Sequence, residues 1–205
     1  MPAQSIHTEG FVLTRRPAAD PFQSCILFSG ELGSLHVLQR LPKKPASTRV
    51  QLDLFDEVAV DLDSSNQGRT WFVREARLIA RATDIGRTYE SLKAASAFTA
   101  MIARNPVAPE SRAPVADLLR TAIAAFSTST RPDVVAFKCL YLFARDEGHP
   151  VKQQWLPMLG AADLETAVLL LKRPLAQQTT DPESVARLQR SLEEYLSGNT
   201  ELQPT

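Results

Sequence analysis

The sequence predicts an α+β protein, an all-β N-terminal half followed by an all-α C-terminal half. Up to about residue 80, apolar residues come in short runs, several of them alternating with polar ones. After Asp84 they recur at helical spacing instead. The change falls near residues 80–86 without a Pro-, Gly- or Ser-rich linker, so residues 1–82 and 83–205 are read as two domains packed as one body.

The strands follow in order. Ile6 to Thr14 forms the first, with Phe11 and Leu13 on one face, and Phe22 to Phe28 the second. Ser29-Gly30-Glu31-Leu32-Gly33 is a turn, because its glycines reach positive φ without a Cβ clash. Ser34 to Leu41 is the third strand, with Leu35, Val37 and Gln39 opposite His36 and Leu38. Leu52 to Leu62 alternates: Leu52, Leu54, Val58, Val60 and Leu62 share a face that Asp56 interrupts, while Asp53, Glu57, Asp61 and Asp63 lie on the other. Ser64 to Gly68 is a loop, and Thr70 to Ile79 is the fifth strand. A small barrel suits five short strands, and the commonest such barrel is the OB-fold.

The helical half begins with Arg87 to Ile102, stopped by Asn105-Pro106. Pro114 to Phe126 is the next helix. Pro132 opens a helix that is apolar almost all round through Phe143, the mark of a buried central element, and Gly148-His149-Pro150 ends it. Asp163 to Leu171 is a short helix. The last has Asp181 as N-cap, Pro182 in its first turn and the stripe Val185, Leu188, Leu192 and Leu196; Gly198 closes it, and residues 199–205 are expected to fray. Together these make a helical bundle domain.

Charge is balanced overall, with 23 Lys plus Arg against 23 Asp plus Glu, so only its distribution bears on partners. Through Leu52 there are six cations (Arg15, Arg16, Arg40, Lys43, Lys44 and Arg49) against three acids, while Asp53 to Asp63 carries five acids and no cation. Pro42 and Pro45 flank Lys43 and Lys44 and deny that stretch strand pairing. A semi-rigid basic loop at a barrel rim is suited to phosphate contact, so the six cations are the candidate DNA-binding residues. The other reading of the loop is a solubilising one. Base-stacking candidates are Phe11, Phe22, Phe28, Phe55, Trp71 and Phe72. Most must fill the barrel, but alternation sends either Trp71 or Phe72 outward.

Catalytic motifs for phosphate loops, nucleophile elbows and zinc proteases are missing, and the reading is non-enzymatic, with no metal and no cofactor. His7 and His36 could meet on strands but do not make a ligand set. Asp61 and Asp63 share a face and leave open a magnesium-dependent nuclease; the acidic strand leaves open a protein-docking scaffold without DNA binding. Cys25 and Cys139 look like core thiols. With no basic-apolar leader and no apolar run near the about 20 residues a membrane span needs, the expected location is cytoplasmic.

Several of these segments resemble the RecO family of bacterial DNA-repair and recombination mediators. Glu9-Gly10-Phe11-Val12-Leu13 is similar to that family's opening strand, and Leu27-Phe28 through Gly33 to its turn. Arg40 to Arg49 stands where the family has a basic loop ending in serine–arginine, and Leu52-Asp53-Leu54-Phe55-Asp56 where it has leucine–x–proline–phenylalanine. Asp133 to His149 resembles the helix that ends in a glycine–aromatic–x–proline turn, and Leu192-Glu193-Glu194-Tyr195-Leu196 its terminal helix. Two departures stand out. The chain has no cysteine after Cys139, where some members hold zinc, and Arg40-Leu41-Pro42 replaces a glycine-rich step. Trp155, Leu156 and Leu159 are expected to fill the zinc region. The resemblance implies a nucleoid-associated protein that binds single- and double-stranded DNA, anneals strands and helps load the recombinase. Its implied partners are RecR and the acidic, aromatic-ended C-terminal tail of single-strand-binding protein. The buried helix, with Lys138 and Arg145, is the candidate wall for that tail.

Overall fold

The computed structural model describes residues 4–18, 21–42, 50–64 and 67–204. Five strands, β1 (Gln4–Arg15), β2 (Phe22–Ser29), β3 (Gly33–Arg40), β4 (Glu57–Ser64) and β5 (Trp71–Ala80), close into a barrel in the order β1-β2-β3-β5-β4. All neighbours are antiparallel except β3 and β5, which pair in parallel at Val37–Trp71 and Leu38–Phe72. This is the OB-fold that the strand count predicts.

Barrel closure depends on β1. Its first part, Gln4 to Phe11, pairs with β4, and its second, Phe11 to Arg15, pairs with β2. Gly10 sits where the strand passes from one partner to the other. A Cβ there would stand 2.4 Å from the Phe28 carbonyl oxygen, so the close approach needs a residue without a side chain. Inside, Val12, Cys25, Leu27, Val37, Val58, Val60, Leu62 and Trp71 form one apolar core. Leu52 joins it from the loop before β4.

That loop departs from the sequence reading. Strand β4 begins at Glu57, not Leu52, because Phe55 turns through positive φ (67°) and Asp56 folds inward. The Asp56 carboxylate is fully buried and accepts Arg81 Nε (2.8 Å) and Nη2 (2.6 Å), while its second oxygen also caps the Asp53 N–H (2.9 Å). Arg81 Nη2 donates further to the Gln51 carbonyl at 2.9 Å.

The chain forms two compact units. One joins residues 1–82 with 106–119; the other joins 83–105 with 120–205. Helix α2 (Arg112–Thr128) thus starts in the barrel unit, where Arg112 Nη1 donates to the Glu31 carbonyl (3.2 Å) in the β2–β3 turn. The second unit is built round α3 (Pro132–Asp146), whose Val134, Val135, Phe137, Leu140 and Phe143 are buried. Around it pack α1 (Tyr89–Arg104), a π-helical turn Val151–Trp155 that runs into α4 (Leu156–Met158), α5 (Ala161–Lys172) and α6 (Pro182–Asn199). Trp155 is buried against Phe137 and Tyr141, each with ring centroids 6.2 Å away, and its Nε1 donates to Ser191 Oγ. Leu156 and Leu159 are only partly buried.

Caps agree with the sequence at α6, where Asp181 accepts the Ser184 N–H at 2.8 Å. That bond holds the Asp181 carboxyl below its ordinary pKa. Residues 200–204, expected to fray, are docked instead. Leu202 is buried, and the Asn105 amide grips Gln203 twice: Nδ2 donates to its carbonyl (3.0 Å), and its N–H donates to Oδ1 (2.8 Å).

Candidate nucleic-acid interface

The β1–β2–β3 meander places the ends of three strands together. Arg15 pairs with Cys25, Phe22 pairs with Arg40, and the Leu41 N–H donates to the Pro21 carbonyl at 2.8 Å. Arg15, Arg16 and Arg40 therefore share one end of the barrel. Arg16 is tied there through its backbone: its N–H donates to the Ser24 carbonyl (3.0 Å), and its own carbonyl accepts the Gln23 amide. The Arg16 and Arg40 side chains are exposed. Arg15 is partly engaged, with Nη1 3.0 Å from Asp53 Oδ1. Lys43, Lys44 and Arg49, the other candidates, lie outside the described residues.

Strands β3 and β5 stay paired for only two residue pairs, then diverge. A cleft of about 350 Å³ opens between them, lined by Gln39, Arg40, Pro42, Val50, Arg74 and Glu75 among others. Gln39 is buried and holds the edge of the cleft in place: its amide donates to the Val50 carbonyl (2.8 Å) and accepts the Leu52 N–H (2.9 Å). Arg74 is a residue the sequence reading did not single out. It is the extra residue at a β5 bulge, where Leu62 faces Val73 and Asp61 faces Glu75. Alternation from Phe72 already sends Arg74 outward, and the bulge leaves Glu75 exposed beside it. Its guanidinium is mostly exposed, 3.9 Å from Asp61 Oδ2. The alternation of Trp71-Phe72-Val73 is the signal that could have found Arg74, while the bulge that follows has no signature in sequence.

Alternation resolves the aromatic question. Trp71 is in the core, and Phe72 points outward, 38% exposed, packing edge-on against Phe22 at 5.7 Å between centroids and 70° between planes. Phe11, Phe28 and Phe55 are all buried. On the same outer face Ser24 Oγ and His36 Nε2 bond each other at 2.8 Å.

The acidic strand carries partnered side chains. Asp61 Oδ1 lies 2.8 Å from His7 Nδ1, and Asp63 Oδ1 accepts Ser5 Oγ at 2.7 Å. Among the described residues no group of three or more His, Cys, Asp or Glu side chains is arranged to hold a metal. Burial pushes the Cys25 thiol up to about 11 and the Cys139 thiol to about 12, so both stay protonated and poorly nucleophilic near neutral pH.

In the helical unit, a groove of about 870 Å³ has Ala94, Ala97, Phe98, Met101, Ala136 and Leu140 in its wall. Lys93 and Arg104 of α1 also line it, together with the acids Glu90, Asp133 and Glu193. Arg131 does too, but Asp133 already holds it at 2.7 and 2.9 Å. Helix α3 supplies the wall through Ala136 and Leu140; Lys138 and Arg145 lie on its other side. Lys138 Nζ donates to the Arg173 carbonyl (2.6 Å), with burial lowering its pKa, and Arg145 pairs with Asp146 (2.7 Å).

A scan against models of known protein families finds no match, and a search of curated proteins finds none either.

Proposed function

We propose that this chain is a non-catalytic DNA-binding protein of recombinational repair, using the cationic end of its barrel to hold a phosphate backbone. One observation carries the reading: Arg15, Arg16 and Arg40 gather at one end of a closed OB barrel, where Arg40 and Arg74 flank a cleft. Guanidinium groups on a rigid scaffold donate hydrogen bonds to phosphate oxygens and release counterions. In annealing, such cations screen the repulsion between two strands and leave the bases free to pair. The sequence resemblance to RecO points the same way, and brings Lys43, Lys44 and Arg49 into the same set.

The partner reading rests on the groove of the helical unit. Its apolar wall suits the aromatic end of a short acidic tail, such as that of single-strand-binding protein, and the exposed Lys93 and Arg104, set among the lining acids Glu90 and Glu193, are the groups left to attract its carboxylates. RecR and the nucleoid follow from the family resemblance alone. No helix among the described residues is long and apolar enough to cross a membrane. The scaffold alternative is weakened by the acidic stretch itself, since Asp53, Asp56, Asp61 and Asp63 all have partners within the chain.

The test is DNA binding by fluorescence anisotropy across a salt series. Arg40→Ala with Arg74→Ala should weaken binding at low salt and flatten the log–log salt slope by about 0.7 per lost contact on single strands. Unchanged affinity and slope would remove this end of the barrel from the mechanism.

A further inference from the structure

We propose that the outer face of β2, β3 and β5 is a base-stacking platform, Phe22 with Phe72, which makes the barrel a single-strand binder of low sequence preference. This rests on the DNA-binding reading and names the form of nucleic acid.

An aromatic ring that is 38% exposed contributes less to folding than one inside, and β5 already fills the barrel with Trp71 and Val73. Phe72 instead packs across the sheet. Leu38 stands opposite it on β3, and Phe22 on β2 meets it edge-on. At 70° the two rings do not cover one another as a parallel stack would, so ring surface stays open to a third flat group. Half-buried Ile26 and Leu38 extend the apolar surface.

Charge decides what that third group is. Arg40 pairs directly with Phe22 in register, and it shares the cleft with Arg74, two residues past Phe72. Ring surface beside guanidinium groups fits a ligand that is aromatic and anionic at every repeat, as a nucleic acid strand is. A duplex hides its base faces in its own stack, so only an unpaired strand can use both features. Ser24 and His36, the polar side chains between the rings and the middle of the face, are bonded to each other. Each spends one hydrogen bond on the other, and the ring faces themselves accept any base, so low sequence preference follows from the stacking.

The experiment compares three labelled probes of equal length by anisotropy: oligothymidine, a base-free deoxyribose-phosphate chain, and a duplex. Oligothymidine should bind roughly tenfold tighter than the base-free chain of the same charge. Phe72→Leu keeps apolar bulk without a ring and should erase most of that preference; Phe72→Trp should keep it. Equal affinity for oligothymidine and the base-free chain, or a preference untouched by Phe72→Leu, overturns the platform while leaving phosphate binding standing. No binding of any probe at low salt overturns the DNA reading beneath it as well.

Discussion

Asp56 shows how a single residue can mislead a sequence pattern. In a run that alternates Leu52, Leu54, Val58, Val60 and Leu62, an acid on the apolar side looks like an interruption of one long strand. The structure makes it the reason the strand starts late. A fully buried carboxylate needs a charged partner, and Arg81, 25 positions further on, supplies two hydrogen bonds. No local rule links those positions, so the pair could not be read from spacing. Removing one partner leaves a buried charge unmatched, which costs more than the pair itself contributes. Arg81→Ala should therefore destabilise the barrel. The Arg81 side chain is 40% exposed, so water replaces part of the lost contact. The expected loss is about 1–3 kcal/mol, below the full cost of orphaning a buried ion. Urea unfolding checks it: the midpoint should fall with an unchanged slope, and an unshifted midpoint would mean that solvent alone satisfies Asp56.

Elements were legible where local chemistry sets them. The alternation of β4 from Val58 to Leu62, the apolar circumference of α3 and the Asp181-Pro182 start of α6 all appear at their predicted places. Features set by distant contacts were not legible. The bulge that exposes Arg74 and Glu75 side by side depends on how β5 registers against β4, and the π-helical turn at Val151–Trp155 accompanies the burial of Trp155. The C-terminal segment is the plainest case. Its composition suggests fraying, yet Asn105, 98 positions away, holds Gln203 at both its N–H and its carbonyl. Asn105 is itself buried and also bonds the Met101 carbonyl at 2.8 Å. Asn105→Ala should then release residues 200–204, at a stability cost of about 1–3 kcal/mol for the unsatisfied groups left behind. Hydrogen exchange reads this directly, as lost protection of the Gln203 amide while the middle of α6 stays protected. Retained protection at Gln203 would show that Leu202 burial alone docks the segment.

At the scale of the whole molecule, a neutral chain keeps two chemically different surfaces in two compact units. The barrel unit offers guanidinium groups beside exposed rings; the helical unit offers an apolar groove with Lys93 and Arg104. Each surface mixes cations with acids, Arg40 and Arg74 with Glu75 in the cleft and Lys93 and Arg104 with Glu90 and Glu193 in the groove, so net charge cannot tell their ligands apart and the distinction must come from shape. A stacked strand needs an open face, whereas a short peptide end needs a concave apolar wall. If the two surfaces act separately, reversing charge in the groove should affect only one of them. Lys93→Glu with Arg104→Glu changes two side chains that are exposed, so folding should be preserved. Binding of an acidic peptide ending in phenylalanine should fall at least tenfold, because two attractions become repulsions. Affinity for oligothymidine at moderate salt should stay within about twofold if the barrel end holds the strand, since neither changed side chain belongs to the barrel unit. The converse variant, Arg40→Ala with Arg74→Ala, should lower oligothymidine affinity and spare the peptide. A groove variant that loses both ligands together would mean that strand and peptide compete for a single site in the helical unit, and the barrel face would then have no separate role.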